Sequence, residues 1–228
     1  PPYPNAKVFS LERMFAAARY DLLVMADSDV RATPDLLTTF AAEFEQPKAG
    51  LLTCPYRAVP GPSFWSRLEA IGLNTEFLAG VLVARLVDGM QFALGPTIAA
   101  RRETLSDIGG FQALKEYLAE DFVMGKLAAE VGWRVILSSC IIEHHIGSQP
   151  FGANLKHRLR WNRSTRRSRP LGYIGQLFTH PLPLAFVFCV AVPDWWPVFF
   201  VTAGFRALAA WSTASRVLDD RLTRENWW

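Results

Sequence analysis

An α/β layered domain followed by C-terminal membrane helices is the architecture this sequence predicts. Three observations carry it. Apolar runs of strand length alternate with stretches of helical period, the pattern of a layered sheet covered by helices. Half of the 228 residues are hydrophobic and the mean hydropathy is +0.12, at the top of the range for water-exposed chains. Residues 182–205 carry one charge only, Asp194. With 8 Trp and 16 Phe, the chain is neither a disordered segment nor a nucleic-acid-binding tail.

The elements follow in order. Val8, Leu11, Met14, Phe15 and Ala18 recur at helical spacing and predict a helix up to about Arg19. Leu22 to Ala26 is a continuous apolar run that reads as a buried strand of a mixed or parallel sheet. Thr33-Pro34 predicts a helix start, with Thr33 as N-cap and Pro34 at the first helical position. Gly50 to Pro55 is the next strand, and Ser63 to Leu86 a helix bearing Trp65, Leu68, Ile71, Leu78 and Leu82. Gln91 to Ala100 resumes strand character. Glu103 to Ile108 is a short helix stopped by Gly109-Gly110, and Glu120 to Val131 a helix ending at Gly132. Arg134 to Ile142 completes the set as the last strand.

Seven basic residues and no acid lie between Lys156 and Arg169. The net charge of +3 therefore leaves −4 on the rest of the chain. Cations placed just before the most apolar stretch suit anionic ligands or lipid headgroups and give no reason to expect nucleic acid. Residues 171–215 predict a membrane-embedded segment. It reads either as one span over 182–205 or as a hairpin of spans at 173–193 and 196–214, and the basic flanks favour the hairpin. Cys54, Cys140 and Cys189 form no disulfide frame or zinc pattern and suit a reducing compartment. The absence of an initiator Met and the terminal Asn226-Trp227-Trp228 suggest a fragment of a longer chain.

Three clusters carry candidate chemistry. Asp27-Ser28-Asp29 places two carboxylates at i and i+2 beyond a strand end, suited to a hard divalent cation or, equally, to an Asx turn or helix cap. Glu120 and Asp121 open a helix, where the helix dipole favours acids; Asp121 is a candidate general base if it shares a cleft with Asp27. In His157-Arg158-Leu159-Arg160-Trp161, Arg160 can grip phosphate while Trp161 packs beside it, although a basic membrane-surface helix has the same composition. His144 and His145, at the end of the last strand, are either metal ligands or solvated structural residues.

In this order, Asn5-Ala6-Lys7-Val8, residues 22–37, 95–111 and 117–135, and HRLRW at 157–161 resemble an inverting GT-A glycosyltransferase of the ceramide glucosyltransferase family and its hopanoid-pathway relatives. The resemblance implies a partial GT-A layered sheet over 1–150, lacking its N-terminal nucleotide-binding strands. A basic interfacial helix over 151–170, a membrane-embedded segment over 171–215 and a cytoplasmic tail over 216–228 would follow. It implies Asp27 and Asp29 as ligands of Mg²⁺ or Mn²⁺, Asp121 as catalytic base, and Lys7, Glu120, His157, Arg160 and Trp161 as substrate-binding residues. His157 departs from the Gln or Arg that opens the family's (Q/R)xxRW motif.

The implied activity is transfer of glucose or N-acetylglucosamine from a UDP-sugar to a ceramide or hopanoid hydroxyl. The implied location is a multi-pass membrane protein with its catalytic part in the cytoplasm. Two rivals remain at this level. One is a phosphohydrolase of the HAD type with Asp27 as nucleophile, which lacks a suitably placed later acidic pair. The other is a membrane-anchored scaffold without turnover.

Overall fold

A computed structural model describes residues 4–148, 150–168 and 170–225. Arg169 of the basic run and residues 226–228 of the expected tail lie outside the described residues. The chain divides into two units, Pro1–Val59 with Ala84–Ile146, and Pro60–Val83 with Gly147–Trp228.

The first unit is the layered α/β domain. Helix α1 (Ala6–Ala17) begins at Asn5, whose side chain accepts from the amides of Lys7 and Val8. Strands β1 (Leu22–Ala26), β3 (Ala49–Thr53), β5 (Thr97–Arg101) and β6 (Arg134–Leu137) form a mixed sheet in the order β1-β5-β3-β6. The β1/β5 and β3/β5 pairs are antiparallel and the β3/β6 pair is parallel. A second sheet, β2-β7-β4, joins β2 (Val30–Arg31), β7 (Ile142–Gly147) and β4 (Tyr56–Pro60).

Helices α2 (Leu36–Phe44), α5 (Arg102–Asp107) and α6 (Glu120–Glu130) belong to this unit. Its core gathers Leu51, Leu105, Leu114 and Met124, each at most 1 % exposed. Each such side chain contributes about 1.5–3 kcal/mol. Helix α6 lies directly on the chain at Phe92-Ala93, because a Cβ on Gly125 would come within 2.4 Å of that backbone.

Four expectations change. Strand β1 is an edge strand with alternating burial: Leu23 and Met25 turn towards the core, while Leu22 and Val24 are exposed. The segment expected as one strand over Arg134 to Ile142 is two strands in different sheets, interrupted where the Cys140 amide donates to the Ser138 hydroxyl. Helix α2 starts at Leu36 and Asp35 takes the cap position, because the Thr33 hydroxyl pairs with the Cys140 thiol at 3.1 Å. Strand pairing of the Gln91 to Ala100 stretch begins only at Thr97.

The second unit is helical. Helix α3 (Phe64–Gly72) runs through a π-helical turn at Leu73–Phe77 into α4 (Leu78–Asp88), whose last turns belong to the first unit. Then come α7 (Phe151–Ser168), α8 (Pro170–Thr179), α9 (Pro181–Ala191), α10 (Pro197–Ser212), a second π-helical turn at Thr213–Val217, and α11 (Arg221–Glu225). Helices α9 and α10 pack as a hairpin, turning at Pro193–Trp195. The two π-turns face each other, and the guanidinium of Arg206 meets Glu76 at 2.6 Å beside them.

The break at His180-Pro181 divides the first expected span, and the Pro193 turn divides the 182–205 alternative. Among the described residues the one helix long and apolar enough to cross a membrane is Phe64–Asp88. Helix α9, at 11 residues or about 16 Å, is short of a bilayer core of about 30 Å, and α10, which continues through its π-helical turn to Val217, is not apolar enough. Among the described residues, the C-terminal spans expected from sequence are therefore not matched by helices both long and apolar enough.

Candidate active site

In the first unit, the end of β1, the start of α1, the loop before β5 and the start of α6 converge on a small cleft of about 30 Å³. Lys7, Asp27, Gly95, Glu120 and Asp121 line it. Lys7 projects from the first turn of α1, its Nζ 2.8 Å from Asp27 Oδ1 and 3.3 Å from Glu120 Oε1. Burial works against the lysine's charge, but the hydrogen bond to Asp27 and the neighbouring carboxylates outweigh it and raise its pKa. Glu120 is buried and also accepts from Asn5 Nδ2 at 3.0 Å. Asn5 thus caps α1 while tying it to α6, which fixes the lysine's reach.

Asp121 is the perturbed acid. Its carboxyl is pushed up to about 6, first by burial and then by the charge of Glu120; backbone amides and Lys7 act in the opposite direction. Gly95 makes this seat possible, since a Cβ there would lie 2.7 Å from Asp121 Oδ2. Buried Tyr56 feels the same carboxylate, and burial together with that charge raises its hydroxyl pKa. The sequence reading held Gly95 as part of the strand-like stretch Gln91 to Ala100 and missed Tyr56, which sits on a strand not separately foreseen.

Asp29 is exposed in the turn just before β2. Its Oδ2 lies 3.3 Å from His144 Nε2, and the β2/β7 register sets Val30 opposite His144. The His144 ring packs edge-on to Tyr56, with centroids 5.4 Å apart, and its buried Nδ1 has no hydrogen-bond partner among the described residues. His145 pairs instead with Glu143 at 3.2 Å; Glu143 also accepts from Arg57, the largest cause of its lowered pKa.

Neither Asp27 nor Asp29 caps a helix. No preassembled group of three metal-binding side chains exists among the described residues. The donor set nevertheless fits Mg²⁺ or Mn²⁺. Such ions take one or two carboxylates and complete their shell with water and substrate phosphate. The Lys7 ammonium already shows that Asp27 supports a cation.

In the second unit, α7 carries His157, Arg160 and Trp161. The His157 and Trp161 rings lie 4.7 Å apart, one helical turn along, and Trp161 leans on Phe77 at 6.2 Å. Arg160 is exposed. The structure thus gathers Lys7, Asp27, Glu120 and Asp121 around one cleft, sets Asp29 against His144, and aligns the other three on one helix.

The profile of glycosyl transferase family 21 matches residues 2–228. Among solved structures, the mannosyltransferase PcManGT from Pyrobaculum calidifontis, in complex with GDP-Man and Mn²⁺, is similar at a TM-score of 0.56 and 17 % identity. That match covers 98 % of this chain and 67 % of the mannosyltransferase. Mannosyl-3-phosphoglycerate synthase from Rubrobacter xylanophilus matches at a TM-score of 0.41 and 18 % identity, over 73 % of this chain and 52 % of its own. Glucosyl-3-phosphoglycerate synthase from Mycobacterium tuberculosis, bound to Mn²⁺, UDP and glucosyl-3-phosphoglycerate, matches at 0.39 and 20 % identity, over 68 % and 51 %. The chain therefore spans about half the length of these two synthases. The mannosyltransferase establishes a shared GT-A fold, and the family match selects a glycosyltransferase over the phosphohydrolase. By a match that runs from residue 2 to the last residue, the chain belongs to glycosyl transferase family 21.

Proposed function

We propose that this chain carries the catalytic machinery of an inverting transferase that moves glucose or N-acetylglucosamine from a UDP-sugar to a hydroxyl of a membrane lipid, ceramide or a hopanoid. The single observation behind this reading is Asp121: a carboxyl held at about 6, against Gly95, in the cleft that also holds Asp27 and Lys7. A base with that affinity is ionised at neutral pH and still takes a proton readily. Asp121 accepts the proton of the acceptor hydroxyl as its oxygen bonds to the anomeric carbon. The bond from that carbon to the diphosphate breaks, its electron pair leaving on UDP, and in-line displacement inverts the configuration.

Lys7 sets positive charge beside the leaving diphosphate. Asp27 and Asp29 would hold Mg²⁺ or Mn²⁺, which when bound supplies Lewis-acid stabilisation of that charge. His157, Arg160 and Trp161 bind the diphosphate and acceptor side, and Glu120 acts by holding Lys7 and Asn5 in place. A lipid acceptor agrees with the second unit's surface: Phe186, Val187, Val190, Trp195, Trp196 and Phe200 are all exposed along residues 186–200, and α7 ends in Arg166 and Arg167. We assign this unit to attachment at a membrane, with the catalytic unit on the cytoplasmic side where nucleotide sugars are found.

The test is transfer from labelled UDP-glucose and UDP-N-acetylglucosamine by the full-length protein to ceramide and hopanoid polyols in mixed micelles, with Asp121→Asn as control. A labelled lipid formed by the wild type alone supports the reading. Failure to label any lipid hydroxyl refutes it.

A further inference from the structure

Helix α3 buries a carboxylate that the proposed mechanism leaves without a task. Glu69 is 8 % exposed, and both of its oxygens are committed to α7. Oε2 accepts from the side-chain amide of Asn154, while Oε1 lies 3.5 Å from His157 Nδ1. Asn154 and His157 stand three residues apart on α7, so one carboxylate reads one face of that helix. A buried carboxylate is costly to retain unless its partners compensate it, and a tie between two helices alone could be made with apolar side chains. This one meets the imidazole at a single nitrogen. The ring's other nitrogen, Nε2, has no partner among the described residues, and the side chain keeps about a third of its surface open. Trp161, its ring tilted at 59° with the centroids 4.7 Å apart, limits the imidazole's rotation from the opposite side along the helix.

We propose that Glu69 is a positioning residue that sets the proton of His157. By accepting Nδ1–H, it fixes the tautomer and the ring plane and turns Nε2 outwards as the atom a ligand meets. An anionic oxygen arriving at Nε2 would then leave the imidazole between two anions, which favours the doubly protonated ring and makes Nε2–H a charge-assisted donor. The ligand class is a diphosphate. This assignment rests on the reading that the His157 to Trp161 stretch serves the donor. It gives a role to the histidine that stands where the (Q/R)xxRW motif opens with Gln or Arg.

The experiment is a double-mutant cycle on the full-length protein. UDP-glucose transfer is measured for the wild type, Glu69→Gln, His157→Gln and the double variant, with Glu69→Asp as the conservative control and thermal melting on each. Glutamine at 157 keeps one donor and one acceptor and needs no carboxylate to choose between them. Expected results are a kcat/KM loss of about tenfold to hundredfold in Glu69→Gln, recovery to within about threefold of the wild type in Glu69→Asp, and less than about twofold further loss when Glu69→Gln is added to His157→Gln. Long-range nitrogen–proton NMR on labelled histidine should place the proton on Nδ1 in the wild type and shift it towards Nε2 in Glu69→Gln. Equal losses in both backgrounds, or a wild-type ring protonated at Nε2, overturn the proposal and leave Glu69 as a tie between helices. A wild type that transfers no sugar refutes the transferase reading instead, and the NMR result on the same sample still decides the Glu69–His157 pairing.

Discussion

Replacing Asp121 by Asn separates the chemical role of this carboxyl from its structural cost. Its pKa rises from the ordinary 3.8 to about 6, close to two units. At 1.36 kcal/mol per unit, ionised Asp121 costs the folded chain about 3 kcal/mol relative to the unfolded chain. The sign follows from proton binding. Between about pH 4 and pH 6 the folded state holds a proton that the unfolded state has released, so this group's contribution to stability falls as pH rises through that window. The cost is complete above pH 6. Asparagine carries no such penalty. Asp121→Asn should therefore gain about 3 kcal/mol on the wild type in going from pH 4 to pH 8, roughly 6–12 °C in melting midpoint for a chain of this length.

Its turnover should fall about 10²- to 10⁴-fold, the usual worth of a general base, with UDP affinity nearly unchanged. Wild-type kcat/KM should climb through an apparent pKa near 6 and level off above it. Tryptophan-fluorescence melts at pH 4 and pH 8, with transfer rates on the same preparations, check both halves. A melting difference that does not change with pH refutes the burial argument. A variant that turns over normally refutes the base.

Removing the lysine cation by Lys7→Met takes away a charge that lowers the Asp121 pKa. The acid limb of the rate profile should move above pH 6 and UDP affinity should weaken, read by pH–rate profiles and calorimetry. Gly95→Ala sets a methyl 2.7 Å from Asp121 Oδ2. Turnover should drop tenfold or more with little change in melting, because the atom that yields is a side chain at the site. Gly125→Ala drives a methyl to 2.4 Å from the Phe92-Ala93 backbone, which cannot give way so easily. It should cost about 1–3 kcal/mol in denaturant titrations.

Helix ends marked by glycine were legible in the sequence because their signal is local. Gly109 and Gly110 adopt φ of +85° and +66° beyond α5, and Gly132 takes +93° beyond α6, where these glycines predicted the stops. The errors share one cause, which is that the deciding partner lies far along the chain. Thr33 is a good cap by type, but Cys140, 107 residues away, takes its hydroxyl. Leu22 to Ala26 is apolar throughout, yet only one face of β1 is covered, and that depends on how α1 and the core pack behind it. Ser138 and Cys140 turn the chain from one sheet into the other, a change that apolar content alone does not reveal.

The site shows the same division at finer grain. Sequence singled out four carboxylates, Asp27, Asp29, Glu120 and Asp121, and one lysine, and named Asp121 as the candidate base, but residue type gives no physical reason for that choice. The geometry offers one for the proposed role. The single ammonium of Lys7 is within ion-pair distance of Asp27 and Glu120, so those two acids have their charge compensated directly. Asp121 feels that cation only through space; it stands beside Glu120 and is pressed against Gly95, which lacks a side chain. Burial and a like charge therefore fall on Asp121 while the compensating cation is spent on its neighbours. Proton affinity collects at the carboxylate with no direct cation, which is the property a general base requires. Lys7 thus does more than neutralise its two partners, because by choosing them it selects the third.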